Sequence, residues 1–365
     1  MKPIVWLLFF FSLFSLSIAT IITHPKARPF KRLSPEENLN LRRTCGLHPM
    51  ISYDASSLNG NQNDPTFKVM NGRDSGVRSY AVQLMYNRPV GNASQCGGTL
   101  ISSRHVLTAA HCVFETDVLC DKNLSMDRVW KSHVHYNSKK NWTILLKTRC
   151  NAMHTTKKCI ENDVPIVAKP AQIITSDNFF KDRCRTGGDI ALIELDKDYG
   201  PELGVIPACV ADPNMNVNEN SKLTSFGWGK DALLYYQTYS EHHDVLQEVD
   251  LKYEECKKRR DLPKDVICTE EKDKNVCAGD SGGGLMITPI SRRHTVIGTV
   301  SEGTRCDFMV LKKFEKQPNS GGWFTDVRKY DVFLCEVAGI CPIGKRKNKR
   351  GLRFGKKQVY DYVVA

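Results

Sequence analysis

The chain has 365 residues, 41% hydrophobic and 9% aromatic, with 14 cysteines and a formal net charge of +12. That content suits a globular core and excludes a wholly disordered chain. The cysteine count fits an oxidising compartment and argues against the cytosol.

Lys2 precedes a run from Ile4 to Ile18 that is apolar apart from three serines, and Ser17-Ile18-Ala19 follows the small-x-small pattern. At about 15 residues the run falls short of the roughly 20 that a spanning helix needs. Residues 1–19 therefore read as a cleaved signal peptide, which makes the protein secreted and extracellular. Residues 20–68 are largely polar, with prolines at 25, 29, 35, 49 and 65, and read as a pro-segment. Within it Ser34 is placed to cap a short helix that has Pro35 at its first position. Ser56 to Asp64 is rich in Asn, Gly and Ser and reads as a linker.

From Val69 short apolar runs alternate with turn residues. Ala81–Met85, Gly98–Ile101, Val106–Thr108, Ile190–Ile193, Lys222–Phe226 and Val296–Val300 predict strands. Asn92, Asn123 and Asn141 open glycosylation sequons. Between Phe114 and Gly187 lie Cys120, Cys150, Cys159 and Cys184 with two of those sequons, a pattern that predicts a disulfide-pinned surface excursion. His133 and His135 alternate within it, but two histidines lack a third ligand, so no metal site and no cofactor are expected. Val327, Tyr330, Leu334 and Val337 fall at helical spacing. Residues 343–365 hold eight Lys/Arg and one Asp. This tail reads as a solvated, disordered end or as a patch for anionic surfaces. Nucleic acid is not an expected partner. Lys347 to Lys357 also resembles an RF-amide neuropeptide cassette.

Three short stretches carry chemistry. Cys277-Ala278-Gly279-Asp280-Ser281-Gly282-Gly283-Gly284 places a serine among glycines, whose backbone can fold tightly and aim N–H groups at one spot. Thr108-Ala109-Ala110-His111-Cys112 offers a base. Gly188-Asp189-Ile190-Ala191-Leu192 offers a carboxylate to orient it.

The order His111, Asp189, Ser281 and these motifs resemble the trypsin/chymotrypsin-like serine peptidases, from about Lys68 to about Cys341. Leu33–Asn38 and Thr44-Cys45-Gly46 resemble a divergent nematode branch of that family. The resemblance implies an all-β fold of two six-stranded antiparallel barrels with a C-terminal helix. It implies a protease domain over 69–342 that cuts proteins or peptides through a Ser-His-Asp triad and an acyl-enzyme, with the Gly279 and Ser281 N–H groups as oxyanion hole. His111 and Asp189 are 78 residues apart rather than about 45, which marks an insertion.

The resemblance further implies zymogen activation. A partner protease cuts after Lys68, and the freed α-ammonium of Val69 pairs with Asp280. It pairs Cys96 with Cys112, Cys277 with Cys306, Cys256 with Cys268 and Cys45 with Cys209. Six cysteines, Cys120, Cys150, Cys159, Cys184, Cys335 and Cys341, are left open, with a local Cys335–Cys341 pair as one option. Asn275 falls at the pocket base and Gly303 and Gly322 at its walls. Ser301-Glu302-Gly303 forms the strand that pairs with substrate. A neutral Asn275 argues against Arg or Lys specificity, and Glu302 favours basic residues further along the substrate. The alternative is a catalytically silent homologue whose cleft binds rather than cuts. Glu302, Gly284 and the insertion keep that reading open.

Overall fold

The computed structural model describes residues 22–23, 30–47, 72–87, 93–114, 141–153, 159, 163–176, 178–181, 184, 187–232, 242–256, 262–270, 274–288, 292–303, 306–309, 322–342 and 362–364. The readings placed on Lys68, Val69, Asn92, Asn123, Cys120, His133, His135, the signal peptide and residues 343–361 lie outside them.

Seven strands form a curled sheet in the first half: β1 (Ala81–Tyr86), β2 (Ser94–Leu100), β3 (His105–Thr108), β4 (Trp142–Leu146), β5 (Ile166–Ala168), β6 (Pro170–Ser176) and β7 (Ala191–Leu195). Their order is β6-β7-β3-β2-β1-β4-β5. The first and last strands in that order are separated only by Lys169, so the chain itself closes the curl that the hydrogen bonds leave open. Beyond β6 the sheet is extended by Tyr362–Val364 and then Ile22–Thr23. Inside, Val82, Leu84, Leu100, Val106, Ile144 and Ile193 are fully buried.

The second half closes completely. β8 (Leu223–Gly227), β9 (Gln247–Glu254), β10 (Val266–Glu270), β11 (Gly284–Ile287), β12 (Thr295–Glu302) and β13 (Gly322–Asp326) run in the order β12-β11-β8-β9-β10-β13, and β13 returns to β12. Leu223, Val249, Ile267, Leu285, Ile297 and Phe324 fill this barrel. A third cluster lies between the halves, where Tyr80, Ile101, Leu107, Phe226, Trp228 and Phe333 pack together. Burying large apolar side chains is worth roughly 2–3 kcal/mol each, so this seam holds the halves at a fixed separation.

The stretch between Phe114 and Gly187 is not all surface excursion. It supplies β4, β5 and β6, and Trp142 is only 1% exposed. The runs Trp142–Leu146 and Ile173–Ile174 are short, and polar flanks hid them among the sequons and cysteines.

Helices frame the sheets. α1 (Pro35–Thr44) starts at a capping box, with Glu37 N–H donating to Ser34 Oγ and Ser34 N–H donating to Glu37 Oε2. α2 (Ala110–Val113) follows β3. α3 (Asp331–Ala338) continues a 3₁₀ turn over Val327–Tyr330 and stops at Gly339, whose φ is 72°. No helix among the described residues is long and apolar enough to cross a membrane.

Residues 30–46 are built into the body. The Lys31 N–H donates to Glu194 at 2.9 Å and the Leu33 N–H to the Ala338 carbonyl at 2.8 Å. Asn38 exchanges two hydrogen bonds with the Cys341 backbone, and Arg104 pairs with Glu37. Disulfides join Cys45 to Cys209, Cys96 to Cys112, Cys150 to Cys159, Cys256 to Cys268, Cys277 to Cys306 and Cys335 to Cys341. Cys184 is also disulfide-bonded, to a partner outside the described residues.

Candidate active site

The site forms on the seam, from two loops of the first sheet and one of the second. β3 ends at Thr108, whose hydroxyl donates to the Gly97 carbonyl at 2.9 Å. The next turn, α2, presents His111. Its neighbour Cys112 bonds to Cys96 on β2, which fixes the turn against the sheet.

Asp189 arrives on a different loop. Gly187 and Gly188 before it have φ of 109° and 79°, a region that glycine enters without Cβ strain. The Asp189 carboxylate then accepts twice from His111: from the backbone N–H at 2.9 Å on Oδ1 and at Nδ1 at 2.8 Å on Oδ2. An ionised carboxylate can only accept, so the Nδ1 proton points at it. Nε2 of the neutral ring is then the acceptor. Ser301, on β12, donates its hydroxyl to Oδ2 at 2.6 Å.

Burial disfavours the imidazolium at His111, but the Asp189 carboxylate outweighs it and raises the pKa above the ordinary value, with Glu302 adding to the rise. Burial likewise works against ionised Asp189, yet His111 and the Ser301 hydroxyl hold its pKa below the ordinary value. The His111 side chain keeps 28% of its surface open while Asp189 keeps 11%, so the imidazole edge is the reachable part of the pair.

Ser281 sits on the turn from Cys277 to Gly283. Gly97 N–H donates to its carbonyl at 2.7 Å. The Cys112 sulfur lies 3.4 Å from that carbonyl and 3.8 Å from His111 Nε2, so the serine turn and the imidazole flank one disulfide. Among the described residues no hydrogen bond joins the Ser281 hydroxyl to His111. Gly279 has φ of 101°. The N–H groups of Gly279 and Ser281 find no acceptor among the described residues, whereas those of Asp280, Gly282 and Gly283 are all bonded.

Asp280 points away from Ser281. It is fully buried, and its carboxylate accepts from Gly229 N–H and Cys277 N–H, each at 2.8 Å. Burial pushes its pKa up to about 6 against the pull of those two N–H groups. Gly227 and Gly229 face the carboxylate so closely that a Cβ on either would collide with it. The buried pair Asp231–His243, at 3.0 Å, lies in the same region.

Asn275 is 1% exposed and donates from Nδ2 to Met309 Sδ at 3.1 Å. Met309 is fully buried with Cys277 and Cys306. Glu302 ends β12 opposite Trp323. Its pKa is raised, first by burial and against the pull of His111. Gly303 follows it, and Gly322 opens β13 opposite Thr269. Asn141 is half-buried just before β4.

Cys96, His111 and Cys112 have metal-like spacing, but the two sulfurs are bonded to each other and offer no thiolate. Sequence reading missed Met309, Asp231, His243 and Asp265, whose carboxylate accepts from the Gly188 N–H at 2.8 Å. None lies in a motif, and only the long return of the chain brings each to the site.

The family model described as Trypsin matches residues 70–309. The chain is 30% identical to Trypsin-like protease try-5 of Caenorhabditis elegans over 301 residues, covering 78% of this chain and 87% of that protein. It is 27% identical to a Trypsin of Phaedon cochleariae over 306 residues, covering 82% of this chain and 100% of that one. It is 28% identical to CLIP domain-containing serine protease HP8 of Bombyx mori over 300 residues, covering 73% and 74%. With a closed barrel and a curled sheet around a site on their seam and a match across most of its length, the chain belongs to the trypsin/chymotrypsin-like family of serine proteases.

Proposed function

We propose that the protein is a secreted serine endopeptidase made as a zymogen, with His111, Asp189 and Ser281 as its triad. The observation that carries this reading is the two-point grip of Asp189 on His111, which orients the imidazole and leaves Nε2 as a base beside the Ser281 turn. Ser281 Oγ attacks the scissile carbonyl while Nε2 takes its proton. The charged imidazolium is stabilised by Asp189, and the open N–H groups of Gly279 and Ser281 receive the oxyanion. His111 then protonates the leaving amine, and water repeats the sequence on the acyl-enzyme.

Activation follows from Asp280. A wholly buried carboxylate with two N–H donors gains from a cation, and cleavage after Lys68 by another protease supplies the Val69 ammonium. The chain just downstream is anchored to receive it: Arg73, Ser75 and Arg78 all bind the Glu248 carboxylate. Asn275 and Met309 bring no carboxylate to the pocket base, so cleavage after Arg or Lys is disfavoured. Glu302 favours basic residues further along the substrate. The leader and the disulfides support secretion, Asn141 is an accessible acceptor for a glycan, and the basic tail is a candidate contact for anionic surfaces.

The test uses protein cut at Lys68 and treated with a fluorophosphonate probe. Wild type labels, while Ser281→Ala and the uncut chain do not. Failure of the cut wild type to label overturns the reading and favours a cleft that only binds. A peptide library then reads the pocket, and a dominant preference for Arg or Lys next to the cut bond overturns the role given to Asn275.

A further inference from the structure

The orienting carboxylate belongs to the first barrel, but the second barrel grips the chain on both sides of it. Thr325 on β13 donates its hydroxyl to the Asp189 carbonyl at 2.8 Å. One residue earlier, the Gly188 N–H donates to Asp265 Oδ2 at 2.8 Å. Asp265 stands at the turn before β10, and its own carbonyl accepts from Asp326 N–H at 2.7 Å. The Tyr330 hydroxyl donates to the same Oδ2. Tyr330 is 5% exposed and packs edge-on against Phe333, so that hydroxyl is fixed in turn.

Two further observations set Asp265 apart from an ordinary loop acceptor. A Cβ on Gly187 would overlap the Asp265 carboxylate, so the glycine is required by this contact as well as by its φ. The other oxygen, Oδ1, is buried and has no hydrogen-bond partner among the described residues.

We propose that Asp265 is a positioning residue for the active site: it fixes the Gly187–Gly188 turn from the opposite barrel and thereby aims Asp189 at His111. This rests on the triad reading in naming what is aimed, but the aim itself is measurable without turnover. Asn at this position retains one acceptor for the Gly188 N–H and the Tyr330 hydroxyl; Ala retains none. Once Asp189 is loosened, it supports the imidazolium less, while Glu302 on β12 still faces the ring. The His111 titration therefore moves to lower pH.

The experiment is a ¹H–¹⁵N titration of His111 in the full chain carrying Ser281→Ala, alone and with Asp265→Ala or Asp265→Asn. Thermal melting runs beside each as a check of folding. Asp265→Ala should lower the His111 midpoint by roughly one pH unit and broaden its Nδ1 proton, and Asp265→Asn should restore most of both. In the Ser281-containing cut protein, Asp265→Ala should slow fluorophosphonate labelling by about 100-fold. An unchanged His111 titration in folded Asp265→Ala overturns the proposal. If that variant does not fold, Tyr330→Phe, which removes one of the two donors, must shift the midpoint in the same direction, and no shift overturns the proposal. A shifted titration in a chain that never labels sinks the triad reading and leaves the positioning role standing.

Discussion

Two buried groups give the chain opposite responses to pH. Asp280 has a pKa near 6 against an ordinary 3.8, so the folded state holds its proton more tightly than the unfolded chain does. Its contribution is complete below the ordinary value and is lost as pH rises through about 6. His105 is the reverse. Burial drives its pKa down to about 3, against the pull of the Lys31 carbonyl that its Nε2 faces at 2.9 Å. Its contribution is complete above about 6.5 and is lost as pH falls toward 3. Each slope reaches about 1.4 kcal/mol per pH unit, and the two windows overlap, so wild type shows little of either. Single variants separate them. In thermal melts of the uncut chain, Asp280→Asn should gain on wild type as pH rises from 4 to 6. The advantage of wild type over His105→Gln should shrink as pH falls from about 6 toward 4. A difference independent of pH would count against either assignment.

At the scale of elements, the loops that carry chemistry were legible and the strands that carry them were only partly so. Gly279, Gly282 and the Gly187–Gly188 pair stand where φ is positive, and a backbone that must fold this way writes itself into the sequence. β1, β3, β8 and β12 announced themselves as apolar runs. β4 to β6 did not, because their polar and cysteine-bearing flanks resemble surface. Asp265 left no local mark at all: its partners are Gly188, 77 residues before it, and Tyr330, 65 residues after it. α1 was legible at its start, since Ser34 as cap and Pro35 at the first position mark it in sequence; the Glu37 half of the capping box came only with the structure. Removing the cap oxygen with Ser34→Ala should cost about 1 kcal/mol. Amide exchange in α1 should speed up while that in β8 to β13 stays slow; equal acceleration everywhere would mean that α1 and the barrels open together.

For the molecule as a whole, the segment from Phe30 to Gly46 reaches from Glu194 on the first barrel to Cys209 and the second. It meets the Ala338 carbonyl on the way. After cleavage at Lys68 it should therefore stay. Cut protein should run as one band without reductant and as two with it, and loss of the segment before reduction would contradict the Cys45–Cys209 link. The same anchoring limits how the protein can be produced. A recombinant chain begun at Val69 would keep His111, Asp189 and Ser281 and yet leave Cys209 without its Cys45 partner. It would also take the Lys31 N–H from Glu194 and the Glu37 carboxylate from Arg104. Such a product would cross-link to its own copies through Cys209, so heterologous expression has to start upstream of Phe30 and be trimmed afterwards.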